Sequence, residues 1–313
     1  MYSSIQTSSI NNKLEDPALL VDIAEKNYAA YIQAAAEDII KHPDSPIVLL
    51  SGPSGSGKTT TALRIADYIK THGADAHVLS MDNYFLPVDS FTEKTLPRDE
   101  NGEIDLESPL RLDIKLFSEH LQMLAEGKSV MMPIFDFPTQ SRPAYTPLHR
   151  EKNEFMIIEG IHALNPLVTG DADKFCTCMY VSVRTSIRSE DGDVLHPRQI
   201  RLMRRLCRDK LFRKRNMSEV FEMFESVSNG EDKYIIPFKS RADIEIDTFM
   251  AHEPPIYKAI IYKELLENVV QLEKYPNYSQ IVSFLDEIEP ISLEYIPRTS
   301  LIREFVGGST FDY

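Results

Sequence analysis

Cysteine is scarce in this sequence, with Cys176, Cys178 and Cys207 the only three among 313 residues. An odd number at those spacings excludes a disulfide framework and supplies no zinc-ligand pattern, so a reducing cytoplasm is the expected compartment. Positive charge is also short, with 34 Lys+Arg against 48 Asp+Glu and a formal net charge of −14. A sequence-unspecific nucleic-acid binder needs a dominant positive field, so no nucleic-acid partner is expected. No apolar run reaches the roughly 18 residues that a membrane span requires. Residues 1–17 lack the basic start and apolar block of a secretion signal, so neither a membrane partner nor processing is expected. Tryptophan is absent, and that absence excludes nothing.

What is present is 42% hydrophobic and 26% charged residue, a globular composition able to bury one large or two modest cores. Residues 1–13 are polar, rich in Ser and Asn, and expected to be frayed or docked on a partner. Leu19, Leu20, Ile23, Ala24, Tyr28, Tyr31 and Ile32 then recur at helical spacing, which predicts an amphipathic helix to about residue 41, stopped by Pro43 and Pro46. Apolar runs at 47–50, 76–80, 130–132, 154–158, 177–183 and 242–246 alternate with helical patterns at 59–71, 112–125 and 198–212. That alternation predicts an α/β fold with a mostly parallel sheet flanked by helices. Residues 254–275 and 279–285 read as closing helices. The expected organisation is an N-terminal polar segment and helix (1–43), a core (44–250) and a C-terminal helical extension (251–313), the ends being additions to one α/β domain.

Gly52-Pro53-Ser54-Gly55-Ser56-Gly57-Lys58-Thr59 fits G-x-x-x-x-G-K-S/T where a strand should pass into a helix. Gly52, Gly55 and Gly57 let the backbone curl so that N–H groups point at phosphate oxygens. Lys58 reaches the outer phosphates, the Thr59 hydroxyl binds magnesium, and Ser54, Ser56 and Thr60 complete the expected nucleotide contacts. The following helix adds its positive N-terminus. A GTPase would carry N-K-x-D, whereas the sole Asn-Lys pair here continues as Asn12-Lys13-Leu14-Glu15. ATP with Mg2+ is therefore the expected cofactor set, with GTP left open.

A kinase further needs a base, an acid for the metal and cations over the phosphates. Asp82 follows the second predicted strand and would reach the same sheet edge as the loop, although an Asp in that place also caps turns. Glu159 closes an apolar run before Gly160, as a magnesium-holding acid does, or as a structural carboxylate does. Between Arg198 and Arg215 there are nine basic residues and one acid, Asp209, a local excess of eight positive charges. Ile200, Met203, Leu206, Cys207 and Leu211 mark the buried stripe of this segment, which leaves arginines on the other face. The rest of the chain carries a net −22, and the contrast suggests a phosphate-facing lid at about 196–216. His162 and His196 have no second ligand at suitable spacing and read as structural or solvent-facing.

From about Ile47 to Asp247 the set resembles the uridine kinase and phosphoribulokinase-like family of P-loop kinases, most of all its bacterial uridine-kinase-like branch. Ser80-Met81-Asp82-Asn83-Tyr84-Phe85 resembles S-x-D-x-F-Y, and Leu106-Glu107-Ser108-Pro109 resembles F-D-H-P. The stretch from Pro133 to Arg142 resembles P-x-Y-D-F-x-x-H-S-R, Ile158-Glu159-Gly160-Ile161 resembles E-G-I, and Arg205 to Asp209 with Arg213 to Arg215 resembles the lid motifs. The resemblance implies Asp82 as base, also neighbouring the metal, with Thr59 and Glu159 on the magnesium side. It implies Lys58, Arg205, Arg208, Arg213 and Arg215 as phosphate clamp. Tyr84, Phe85, Glu107, Phe135, Gln140 and Arg142 would contact a nucleoside-like acceptor. Phe135, Gln140, Glu107 and the order Tyr84-Phe85 depart from the family pattern, so phosphoryl transfer is read more firmly than uridine as acceptor. The alternatives are a pantothenate- or ribulose-phosphate-like acceptor, or a nucleotide-binding regulatory protein without turnover. A homo-oligomer stays open. The closing stretch from Arg303 to Ser309 resembles a tail of the same branch, and Phe305 is expected to pack on a neighbouring helix or subunit.

Overall fold

Aliphatic runs bounded by turn residues favour buried strands. In the computed structural model, which describes residues 3–90, 92–99 and 102–312, five of them form one parallel sheet. These are β1 Ile47–Ser51, β2 Asp75–Ser80, β3 Glu154–Glu159, β4 Cys176–Ser182 and β5 Ile244–Asp247, in the order β5-β4-β1-β3-β2. Leu50 and Ser80 both lie opposite Glu159 in register, so β1, β2 and β3 end level with one another. The chain turns back between β1 and β3, and the crevice at such a reversal is where open α/β sheets bind ligands.

Alternate residues of β1 serve the two faces, as a strand period of two requires. Val48 and Leu50 join a cluster with Tyr28, Ile65, Leu206, Phe284 and Phe305, whereas Ile47 and Leu49 join one with Phe117, Ile158 and Cys178. The first cluster takes residues from helix α1 Pro17–Lys41, from helix α2 Lys58–Thr71 and from the C-terminal segment. Both chain ends are therefore built into the core that the sheet begins.

Three sequence expectations change. The polar start is not frayed over its described residues: Ser4–Gln6 pairs in parallel with Ser186–Arg188, Ile10 is fully buried, and Thr7 donates to Glu287 at 2.8 Å. Residues 1 and 2 lie outside the described set. The run at 130–132 is not part of the main sheet but opens a hairpin, Val130–Asp136 against Ser141–Leu148. The second arm, with Pro143 and Pro147, carries no strand signal, since proline is tolerated only where ladder bonds are not needed. The helix expected over 254–275 stops at Glu267, where the Asn268 side chain donates to the Glu264 carbonyl, and helix Pro276–Glu287 follows later.

The basic segment is helix α3 Pro197–Arg208, continued by a π-helical turn over Asp209–Arg213. Ile200, Met203, Leu206 and Cys207 are buried as expected, but Leu211 is 44% exposed. A π turn holds more residues than an α turn, which rotates the following side chains off the buried face. Among the described residues no helix is long and apolar enough to cross a membrane.

Candidate active site

The loop from Gly52 to Thr59 fits an anion. A Cβ at Gly52 would stand 2.0 Å from the Val181 carbonyl oxygen, and Gly55 and Gly57 hold φ of +75° and +84°, so glycine is required at all three. Thr61 N–H bonds the Gly57 carbonyl, leaving the first-turn amides of α2 at 58–60 outside its ladder. The Ser56 hydroxyl is buried with no hydrogen-bond partner among the described residues, as suits a group that meets a ligand.

Helix α3 holds the other side of the loop. Arg201 donates to the Ser54 carbonyl at 3.0 Å, Arg204 to the Gly55 carbonyl at 2.9 Å and Arg205 to the Ser54 hydroxyl at 2.6 Å. All three arginines are buried, and two are paired: Arg201 with Glu231 at 2.6 Å and Arg204 with Glu253 at 2.6 Å. The expected division into an apolar stripe and an open cationic face is corrected here, because Arg201 and Arg204 are spent on the loop's backbone and Arg205 on the Ser54 hydroxyl. Beyond them Asp209, fully buried, gathers Arg208 at 2.9 Å, Arg213 at 3.5 Å and Arg215 at 3.2 Å. Burial opposes the Asp209 charge, but Arg208 and Arg213 outweigh it and hold the carboxyl below its ordinary range. One carboxylate thus anchors three guanidinium groups and leaves a surplus of positive charge.

Three carboxylates lie within electrostatic range of Lys58, whose ammonium donates to the Pro53 carbonyl at 3.4 Å. Glu159 is pushed up to about 7, chiefly by burial, with Lys58 opposing and Asp82 adding to the rise. Glu107 also reaches about 7 through burial, against the pull of Arg205 and Lys58. Asp82 is raised by burial and opposed by Lys58. Thr59 Oγ1 lies 3.5 Å from Glu159 Oε1, so a hydroxyl and a carboxylate of hard-cation type face one another. The turn Met81–Tyr84 is set by the Ser80 hydroxyl, which accepts from Asp82 N–H. Gly160 is required after Glu159 because a Cβ there would strike Met81 at 2.7 Å. His162, set aside in the sequence, is buried beside this group, and burial lowers its pKa to about 4, which keeps it neutral. A separate group, Asp75, His77 and Glu154, sits at the opposite ends of β2 and β3.

The acceptor side follows the sequence only in part. Phe85, Phe135 and Phe137 form a ring cluster with centroids 5.2–6.0 Å apart, and Phe137 is 52% exposed. Tyr84, expected to touch the acceptor, is a correction: it turns into the core against Phe117, and its hydroxyl meets His120 at 3.0 Å. Arg142 is also corrected, from a sugar contact to a frame member, since it donates to the Phe85 and Tyr84 carbonyls and to Asp113. Gln140 spends both ends of its amide on the protein, accepting from Arg111 at 3.2 Å and donating to the Phe137 carbonyl at 2.8 Å. Glu107 is held by the close approach of Gly230, where a Cβ would meet Glu107 Cβ at 2.4 Å.

The sequence reading missed Arg201, Arg204, Phe137 and Glu304. Phe137 sat inside a quoted motif, and the arginines inside a counted run. Only the fold distinguishes those that hold the loop from those that face solvent.

Comparison with known proteins points to one family. Residues 47–188 match the Phosphoribulokinase / Uridine kinase family. The uridine kinase of Staphylococcus aureus strain JH9 is 32% identical over 201 residues, covering 64% of this chain and 86% of that protein, and the uridine kinase of strain Newman gives the same figures. A solved chain from Silicibacter sp. TM1040, provisionally described as a fructose transport system kinase, is 20% identical with a TM-score of 0.47, over 69% of this chain and 98% of its own. With a parallel sheet, a phosphate loop after its central strand and a relative at this identity, the chain belongs to the phosphoribulokinase and uridine kinase family of P-loop kinases.

Proposed function

We propose that this protein is an ATP-dependent kinase that phosphorylates a primary hydroxyl of a nucleoside-like acceptor in the cytoplasm. The observation that carries this reading is the glycine-shaped phosphate loop with Thr59 Oγ1 3.5 Å from Glu159 Oε1, at the strand ends where Ser80, opposite Glu159 in register, brings Asp82 close behind it. Thr59 and Glu159, with Asp82 nearby, would hold magnesium, which when bound neutralises charge on the phosphoryl oxygens. The acceptor hydroxyl attacks the γ-phosphorus, the bond to the bridging oxygen breaks, ADP leaves and the hydroxyl proton passes to Asp82. Burial raises the Asp82 carboxyl above the ordinary range, which makes it a stronger base than a solvated aspartate. Lys58 and Arg205 would offset charge on the transferring group, joined by Arg208, Arg213 and Arg215, which Asp209 gathers.

Glu107 is the group to hold acceptor hydroxyls, and the Phe85, Phe135 and Phe137 rings suit stacking on a flat base. Because Gln140 is bonded at both amide ends, reading of a base edge by that residue is not supported, and stacking carries the acceptor preference. Arg142 is engaged in the frame, which favours an uncharged acceptor over a sugar phosphate. Incubation with Mg-ATP or Mg-GTP and a panel of nucleosides, pantothenate and ribulose 5-phosphate, with ADP or GDP release as readout, tests the proposal. Release with uridine or cytidine above the other acceptors is expected. Nucleoside-independent rates throughout would remove the nucleoside reading.

A further inference from the structure

The C-terminal stretch from Leu301 to Phe305 has no role in the reaction as described, yet it lies against the phosphate loop. Leu301 closes the outer side of Gly57: a Cβ at that glycine would stand 2.7 Å from Leu301 Cδ1. Glu304 Oε2 accepts from the Thr60 hydroxyl at 2.6 Å and from the Thr60 N–H at 3.4 Å. Phe305, fully buried, lies under the guanidinium of Arg204 at 5.1 Å from the ring centre, and that same arginine bonds the Gly55 carbonyl. Positions 301, 304 and 305 are spaced i, i+3, i+4, which puts them on one face of a helical turn. That face holds the loop at 55, 57 and 60.

We propose that Glu304 is a positioning residue of the nucleotide site, acting through Thr60, and that the C-terminal turn is a working part of the phosphate loop. The inference rests on the loop being a nucleotide site. Thr60 stands in the first turn of α2, so the carboxylate that holds its hydroxyl and N–H fixes the helix start whose preceding amides, at 58 and 59, an anion would meet. Leu301 and Phe305 are fully buried, so the turn is fixed in the core and acts as a fastening, not as a lid that departs. An acceptor oxygen at position 304 is what the contact needs, and a negative charge there is not: it adds repulsion toward Glu159.

The test is equilibrium binding of Mg-ATP to the full chain and to Glu304→Ala and Glu304→Gln variants, with KM for ATP, kcat and the thermal midpoint measured alongside. Loss of one hydrogen bond to a charged acceptor corresponds to about a tenfold change, so E304A is expected to weaken ATP binding and raise its KM about tenfold with kcat little altered. E304Q, which keeps the accepting oxygen, is expected to bind as tightly as the parent or more tightly. An E304A protein that binds ATP as the parent does, or that loses thermal midpoint alone, would overturn this inference while leaving the kinase reading intact. Failure of E304Q to rescue would overturn it too. Absence of ATP binding by the parent chain would overturn both.

Discussion

At the scale of the residue, the site is a balance between burial, which disfavours charge, and Lys58, which favours it. If Asp82 takes the acceptor proton as proposed, Asp82→Asn is expected to lower turnover by about 10²- to 10⁴-fold while ATP binding is retained. Comparison of kcat with the ATP dissociation constant checks it. Glu159 and Glu107 bear on stability through pH. Each rises from an ordinary 4.5 to about 7 in the fold, so the folded chain keeps a proton that the unfolded chain has released across that interval. Their contribution is fully present below about 4.5 and lost as pH rises through 7. The thermal midpoint of the metal-free protein should fall over pH 5 to 8 from this cause. Glu159→Gln should flatten the fall, and an unchanged slope in that variant would show that the carboxyl titrates normally. The residues Lys58, Asp82 and Glu159 were legible because each lies at or just past the carboxyl end of a strand in a motif whose chemistry depends on chain order. Tyr84 and Arg142 were not, because direction at the end of a turn depends on what packs beneath: Phe117 draws one inward and Asp113 holds the other.

At the scale of the element, α3 carries the chief departure from expectation. Its count of basic residues is read from the sequence without difficulty, but their use depends on Glu231 and Glu253, which lie 30 and 49 positions away from their partners along the chain. Periodicity reports the apolar stripe and is blind to partners so remote. The Arg204–Glu253 pair is fully buried, and Arg204 also bonds the Thr248 and Gly55 carbonyls. Removing one member of such a pair costs about 3–5 kcal/mol, since the other charge is left without compensation. Urea unfolding of Glu253→Ala should show a loss of that order, whereas a loss below about 1 kcal/mol would mean that Arg204 finds water or another partner. The strands of the main sheet were legible from uninterrupted aliphatic runs. The arm Ser141–Leu148 and the strand Ser4–Gln6 were not, since both are polar and gain their form from a neighbour's backbone.

At the scale of the whole molecule, the ends of the chain are not appendages. Tyr28 of α1 bonds Thr61 at 2.7 Å, Thr60 is bonded by Glu304, and Glu25, close to His252, lies within 3.5 Å of Arg64 on α2. Segments from residues 25, 61, 252 and 304 thus meet around the helix that follows the phosphate loop. A single cooperative unfolding transition is expected, coincident by fluorescence and circular dichroism, with no stable fragment corresponding to residues 44–250 released by limited proteolysis. Two separated transitions would mark the ends as independent units. The net −14 of the chain has a matching arrangement: its concentrated positive charge is folded inward, onto the phosphate loop and Asp209. The measurement that tests this account most directly is ADP release from Mg-ATP with uridine or cytidine, run side by side on the parent protein and Asp82→Asn. Nucleoside-dependent release by the parent, lost in the variant while both bind ATP equally, is the predicted result; equal release by the two proteins would contradict it.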